Sequence, residues 1–223
     1  MAFKGFPIEA LSFYEGLESD NSRHYWQANK PTYEAAVKGP LLALLDEVPE
    51  RYRPFHVFRP NRDVRFSKEK SPYKTNIGAV CEGEGGSIYY VQFSAQGLLT
   101  GVGYYQMAND QLDRFRAAVD DDVTGSEVAA IVARLERKGL AAGAISEVKT
   151  APRGVAKDHP RIALLRRKGL IVSKAFPVAA WLQTAGARKR VEQVWIDAEP
   201  LCAWLDAHVG PSELPPDDER WVR

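Results

Sequence analysis

The 223-residue chain has few of the residues that most often build metal and disulfide sites. Cys81 and Cys202 are its only cysteines, and they are far apart in the sequence and outside any CxxC spacing. Its four histidines show no HExxH or HxxxH spacing, which argues against a zinc site. We therefore predict two unpaired, reduced thiols, no metal site and no cofactor.

Long hydrophobic runs and familiar catalytic motifs are also absent. No apolar stretch approaches the ~20 residues that span a bilayer, and residues 1–7 lack the apolar core of a secretory signal. There is no GxxxxGK[ST] phosphate loop and no serine in a GxSxG turn. These absences predict a cytoplasmic protein that does not associate with membranes, and they exclude P-loop and α/β-hydrolase chemistry.

The chain has the composition of a globular protein, with 45% hydrophobic and 26% charged residues. Its formal net charge is only +1, so any attraction for an anion must come from local segregation of charge. Basic residues collect at 51–74, 153–168 and 188–190, and acidic residues collect near 9–20, 46–50, 110–127 and 192–219. This pattern indicates basic patches on an otherwise balanced surface.

Apolar periodicity predicts a single α+β domain over residues 1–210. Helical spacing occurs at 7–19, from 23, at 31–48 with a kink at Gly39-Pro40, at 110–121, 126–138 and 160–168, and in most of 177–210. Strand patterns occur at 55–58, 75–82, 87–94, 98–105, 144–150 and 170–176. Glycine-rich turns join the second, third and fourth strands, which predicts an antiparallel meander flanked by helices. We expect residues 211–223 to form a loosely held tail.

One predicted strand carries two glycines on the same face. Leu99, Gly101, Gly103 and Tyr105 alternate with the residues of the opposite face, because side chains along a strand point to the two faces in turn. The glycines would leave a trough between larger side chains. Close packing of a helix into this trough is the favoured expectation, and a ligand groove is the alternative.

The most distinctive segment is an irregular basic loop at residues 59–74, with the sequence RPNRDVRFSKEKSPYK. It contains six cations and two anions. Arginine's planar donors suit two oxygens of a phosphate or carboxylate, whereas lysine supplies a point charge. We predict an anion site built from Arg59, Arg62, Asp63, Arg65, Ser67, Lys70, Tyr73 and Lys74. The alternative is that these residues pair with the acidic helices and pin the loop to the domain.

A second basic segment is the best candidate to join this loop. We add Arg153 and His159 to the predicted anion site, because both lie among polar residues in a loop before Pro160. For His159, a hydrogen bond to the backbone at a helix entry is favoured over the role of a catalytic base. The sequence therefore assigns no catalytic residue.

Residues 62–74, RDVRFSKEKSPYK, closely resemble the hallmark of a mainly bacterial family catalogued as domain of unknown function 2461. The likeness extends to FKGF at 3–6, NSRHYW at 21–26, PRG at 152–154 and His159-Pro160, all in the same order. Glu69 stands where aspartate is usual, and residues 24–26 differ from the common acidic residue followed by Trp-Phe. The resemblance covers nearly the whole chain, and it implies no particular activity or catalytic residue.

Three functions remain open at this point. The first is a binder of, or an enzyme acting on, an anionic small molecule or nucleotide held by the basic loop. The second is a nucleic-acid-binding module, in which exposed aromatic residues on the strands would stack on bases. Its candidates are Tyr89, Tyr90, Phe93, Tyr104 and Tyr105. The third is an interaction protein whose loop is internally ion-paired, and the sequence does not indicate an oligomeric state.

Overall fold

The computed structural model describes residues 2–63, 70–83 and 86–214. Within these ranges, one antiparallel sheet has the strand order β1-β2-β3-β4-β6-β5. The strands are β1 (His56–Val57), β2 (Asn76–Glu82), β3 (Ile88–Ser94), β4 (Gly97–Tyr104), β5 (Ala141–Gly143) and β6 (Leu170–Phe176). The predicted α+β class and the antiparallel meander of β2, β3 and β4 are confirmed.

The helices flank this sheet and come mainly before and after the meander. They are α1 (Ile8–Ser19), α2 (Arg23–Thr32), α3 (Gly39–Glu47), α4 (Asn109–Asp120), α5 (Asp122–Arg137), α6 (Ile162–Leu165) and α7 (Gly186–His208). Short 3₁₀ turns occupy Glu50–Tyr52 and Ala180–Gln183. None of the helices in the described ranges is both long and apolar enough to cross a membrane.

The predicted start of a helix at residue 31 is wrong, because Pro31 lies inside α2. The chain continues from α2 through a π-helical turn, Tyr33–Lys38, directly into α3. In that turn the Gly39 amide donates to the Glu34 carbonyl, five residues back. Pro40 has no N–H and its ring crowds the preceding turn, so a widened turn lets the chain pass it without ending the helical path.

Two other sequence-based boundaries are also wrong. Helix α5 starts at Asp122, not at residue 126, because the Asp121 carboxylate accepts from the amides of Val123 and Thr124 and caps it. The strand predicted at 144–150 is instead β5, Ala141–Gly143, which pairs with β6. Ala-Ala-Gly has little intrinsic strand preference, so pairing with a neighbouring strand decides this position.

The end of the described chain is attached to α4. Asp110 accepts from the Ser212 hydroxyl and from the Glu213 amide, both at 2.8 Å. Residues 211–214 belong to the segment that the sequence assigned to a tail, and residues 215–223 lie outside the described residues.

The core lies on one side of the sheet, which we call the helix face. Alternate residues of the strands point toward it, including Ile77, Val91, Phe93 and Val102, all at most 2% exposed. Phe6 stacks on Phe93 with ring centroids 4.2 Å apart, and α7 packs along β4. The intervening residues point to the other side, which we call the cavity face. Cys81 and Cys202 are both buried and unpaired.

Candidate functional site

The cavity face bears a broad cavity of about 1060 Å³. Its floor comes from alternate residues of β2, β3, β4 and β6, and its walls come from the ends of β1 and β2, from the β4–α4 connection, and from Ile145 and Leu214. The residues that line the cavity include Phe58, Lys74, Asn76, Tyr90, Gln92, Leu99, Gly101, Tyr105, Ile145, Ile171, Ser173 and Leu214.

Strand register explains why the floor is open at its centre. Tyr90 pairs with Gly101, and Gly101 pairs with Ser173 on β6, so the three residues lie in one row. A Cβ at position 101 would first meet the Val172 carbonyl oxygen at 3.1 Å and the Ser173 Cβ at 3.2 Å, both on the adjacent strand. Gly101 itself lines the cavity, whereas the sequence favoured a helix contact at this trough.

Tyr90 is the main aromatic group of the floor. Its hydroxyl donates to Gln92 Oε1 at 2.7 Å. Its ring lies over Gly78, where a Cβ would come within 2.9 Å of the hydroxyl oxygen. Burial, with a smaller contribution from nearby Tyr105, raises the pKa of Tyr90 to about 12. The phenol is therefore neutral at physiological pH and acts as a hydrogen-bonding group.

The cationic end of the cavity is built by a short antiparallel ladder at the base of the basic loop. Asn61 bridges to Tyr73. The Arg62 amide donates to the Pro72 carbonyl at 2.9 Å, and the Lys74 amide donates to the Pro60 carbonyl at 2.8 Å. This ladder brings the two ends of the loop together, and with them Arg59, Arg62 and Lys74.

Lys74 is the cation that lines the cavity itself. Its Nζ lies 5.3 Å from the centroid of the Phe58 ring. Burial lowers its pKa below the usual 10.5, and the charges of Arg59 and Arg62 lower it further. No carboxylate of the residues in the described ranges forms an ion pair with Lys74 or Arg59. Arg59 and Arg62 therefore lie close enough to Lys74 to disfavour its positive charge.

Tyr73 secures the end of the loop. The Asn21 side chain donates to the Tyr73 carbonyl at 3.1 Å and accepts from the Tyr73 amide at 3.0 Å, as a neighbouring strand would. Trp26 stacks on the Tyr73 ring, with centroids 4.4 Å apart and planes 9° apart. The ring is 7% exposed, so Tyr73 positions the backbone beside Lys74.

Comparison with known proteins gives the family of the chain. The profile of a family described as "Conserved hypothetical protein (DUF2461)" matches residues 9–204. The chain belongs to the DUF2461 family. This result confirms the resemblance seen in residues 62–74. A search of curated proteins and a search of solved structures each found no match.

Two of the sequence segments that carried the DUF2461 resemblance meet in space. Asn21 and Trp26 come from the first segment and Tyr73 from the second. The Asn21–Tyr73 contact joins positions 52 residues apart, and Trp26 stacks on the same tyrosine. Arg65 and Ser67, also predicted to bind the anion, lie outside the described residues. Asp63 and Lys70 are described, and each has an interaction partner.

Of the predicted anion-site residues in the described ranges of this DUF2461 chain, Lys74 alone lines the cavity. His159 Nε2 lies 3.4 Å from Asp120 Oδ1 at the end of α4, and His159 Nδ1 accepts from the Arg161 amide at 3.1 Å. Arg161 in turn donates to the Val119 carbonyl. This is the helix-entry hydrogen bond that the sequence favoured, and neither Arg153 nor His159 lines the cavity.

The sequence did not identify Phe58, Asn76 and Gln92 as cavity residues. Their alternation with buried neighbours was visible, and it is the signal that could have found them. Alternation separates the two faces of a strand, but it does not say which face a helix covers.

The helix face carries a small polar cluster of its own. Asp206 on α7 accepts from the Ser87 hydroxyl at 3.2 Å and from the Tyr104 hydroxyl at 3.0 Å. Nearby, burial raises the pKa of Cys202 to about 11, so this cysteine is a thiol at neutral pH. Among the described residues, no group of three or more His, Cys, Asp or Glu side chains could hold a metal ion.

Proposed function

We propose that this DUF2461 protein binds a small molecule on the cavity face, with a phosphate or carboxylate group held by Lys74, Arg59 and Arg62. The observation that carries this proposal is that Lys74 lines a large cavity and has Arg59 and Arg62 near enough to act on its charge. Neither Lys74 nor Arg59 has a carboxylate partner among the described residues. A bound anion would give Lys74 and Arg59 an opposite charge to pair with.

The lowered pKa of Lys74 supports the same proposal. Both burial and two neighbouring guanidinium groups disfavour the charged ammonium. An anionic group placed among the three cations would reverse this balance, because an opposite charge nearby favours the protonated form. Guanidinium groups would add planar pairs of donors to the point charge of Lys74.

The shape of the site favours a small molecule over a nucleic acid. A volume of about 1060 Å³ is close to the upper end of small-molecule sites. Of the five aromatic residues proposed to stack on bases, Tyr89, Phe93 and Tyr104 belong to the helix face. Only Tyr90 and Tyr105 line the cavity, which is a short platform for a nucleic-acid strand.

Titration calorimetry with the full chain tests the proposal. The probes are inorganic phosphate, nucleoside monophosphates, sugar phosphates and dicarboxylates. Lys74→Ala should weaken binding of the best probe by about tenfold or more, because a charge-assisted contact is lost.

Lys174→Ala is the matched control. Lys174 also lies over a phenylalanine ring, with its Nζ 5.6 Å from the Phe176 centroid, and it donates to the Lys138 carbonyl. It does not line the cavity, so its removal should leave affinity within about twofold, as expected for a distant surface change. Absence of binding by every probe, or equal losses in the two variants, would overturn the proposed function.

A further inference from the structure

We infer that the ligand is an amphipathic anion, that is, a phosphate or carboxylate attached to a long hydrocarbon chain. The inference rests on the proposed function for its head group and adds the nature of the rest of the molecule. It comes from the end of the cavity opposite Lys74, which the anion site does not use.

That opposite end carries exposed apolar side chains, with Gln106 and Asn109 beside them. Eight large hydrophobic side chains of the described residues are exposed, and three of them line this one cavity: Tyr105 (40%), Ile145 (50%) and Leu214 (48%). Ile171 lines the floor beside them. Exposure of apolar area to water is unfavourable, so a cluster of such side chains around a cavity marks a surface that a hydrocarbon group would cover.

We call Tyr105, Ile145 and Leu214 the apolar rim. Leu214 of this rim is held in position by specific contacts. Leu214 follows Ser212 and Glu213, and Asp110 at the start of α4 binds both of these residues. Arg114 adds a second attachment, because its guanidinium donates to the Pro211 carbonyl at 2.7 Å. Leu214 is therefore fixed next to the cavity.

Strand register places the two ends far apart. Lys74 lies just before Asn76, which pairs with Ser94 at the end of β3. Ile171 pairs with Gly103, which pairs with Ile88 at the start of β3. Ser94 lies six positions after Ile88, which is a distance of about 20 Å along the strand at roughly 3.4 Å per residue.

A flat ring next to the anionic group would leave most of this distance uncovered. Leu99 and Gly101 lie between the two ends, and Gly101 has no side chain to block the path. An extended hydrocarbon chain would cover the floor from the cations to Ile145. The ligand would be a single molecule taken out of solution, because the floor lies inside a cavity and not on a flat surface.

Calorimetry with two phosphates of different length tests this inference. The probes are methyl phosphate and dodecyl phosphate below its micelle concentration, with dodecyltrimethylammonium as the control for head-group charge. Dodecyl phosphate should bind about a hundredfold tighter than methyl phosphate or better, because methylene groups become buried. The cationic control should bind at least tenfold more weakly than dodecyl phosphate.

Two isoleucine variants locate the hydrocarbon chain. Ile145→Ser should weaken dodecyl phosphate by about threefold to tenfold and leave methyl phosphate unchanged. Ile196→Ser is the matched control, since Ile196 is 44% exposed on α7 and does not line the cavity. It should change neither affinity.

The outcomes separate this inference from the proposed function. If both phosphates bind equally and both are weakened by Lys74→Ala, the anion site stands and the amphipathic ligand is overturned. If neither phosphate binds, the amphipathic ligand is overturned, and the proposed function fails as well only if none of its own probes binds. Sedimentation with vesicles containing phosphatidic acid distinguishes a membrane surface, and binding to vesicles without binding to monomeric dodecyl phosphate would overturn the inference.

Discussion

The two faces of the sheet share the same strands but differ in what covers their side chains. On β3, Val91 and Phe93 are fully buried among the helices. Tyr90 and Gln92, each one position away, line the cavity and bond to each other. A step of one residue thus separates a side chain that stabilises the fold from one that is available to a ligand.

One sheet can both stabilise the fold and offer a surface to a ligand, because its two faces carry different side chains. The helix face is filled with aromatic and branched side chains in close contact, which is the main source of folding free energy. The cavity face combines glycines, amides and hydroxyls with apolar groups, so it can meet a ligand without loss of the core. Substitutions at adjacent positions should therefore have very different consequences.

The largest expected effect on stability comes from truncating a buried side chain of the helix face. Phe93→Ala should lower the free energy of unfolding by about 3–5 kcal/mol, because it leaves a cavity beside Phe6. Gln92→Ala, on the cavity face of the same strand, should cost less than about 1 kcal/mol. Urea unfolding followed by tryptophan fluorescence measures both. Equal losses would show that the two faces contribute equally to the free energy of unfolding.

The second effect tests the polar cluster of the helix face. Asp206→Ala removes the acceptor of the Ser87 and Tyr104 hydroxyls and should cost about 1–3 kcal/mol. Asp197→Ala is a suitable control, because it removes a carboxylate of the same helix that pairs with the exposed Lys138 and should cost less than about 1 kcal/mol. A smaller loss for Asp206→Ala than for its control would contradict the role assigned to this cluster.

Sequence reasoning succeeded where the signal is local. Strands β2, β3 and β4 were located to within about one residue, because apolar alternation and glycine turns lie within the segments themselves. Gly97 has φ +112° and Gly139 has φ +80°, which suits the turn and the helix end that the sequence assigned to them. Strand β5 was missed because its position depends on β6, thirty residues later.

The site was only partly visible for the same reason. Composition identified Arg59, Arg62 and Lys74, since a dense cationic loop stands out in any sequence. The other wall of the cavity includes Ile145 and Leu214, which have no local feature that connects them with the loop. Arg153 and His159 were added because they lie in a polar loop before Pro160, and the structure holds His159 at the end of α4.

A third prediction concerns the pH dependence of stability and of anion binding at Lys74 on the cavity face. The pKa of Lys74 is lower in the folded protein than its usual 10.5. Its positive charge therefore opposes folding fully below that lowered pKa, and this cost declines as the pH rises from that pKa to 10.5. Anion affinity should fall by about tenfold over the same window, below pH 10.5, because the bound anion needs the ammonium.

Lys74→Arg provides the comparison for this pH dependence. A guanidinium remains charged throughout the range, so its affinity profile should stay flat where that of the wild-type chain falls. Calorimetric titrations at a series of pH values measure both profiles. Identical profiles would mean that Lys74 does not contact the anion.

The smallest effect concerns the attachment of the apolar rim. The amide of Glu213 lowers the pKa of Asp110 to about 2 from the usual 3.8, and Ser212 and Arg114 contribute to the same shift. Since the folded-state pKa is depressed, the stabilisation is complete above about pH 4 and is lost as the pH falls toward 2. Amide hydrogen exchange at Glu213 and Leu214 should show protection that declines over this interval.

Asp110→Asn should lose part of that protection at neutral pH and should show a weaker dependence on acid. The global unfolding transition should change little, because the contact lies at the end of the described chain. Equal protection in the two proteins at every pH would show that Asp110 does not hold the rim.

The contact between Asn21 and Tyr73 has a consequence for how the protein matures. During synthesis, Asn21 emerges from the ribosome well ahead of Tyr73, and the two residues can bond only after the intervening chain has folded back. A folding intermediate that lacks this long-range contact would carry Lys74 without the neighbour that fixes the adjacent backbone. If Lys74 binds an anion as proposed, newly made chains would gain full affinity only once this contact has formed.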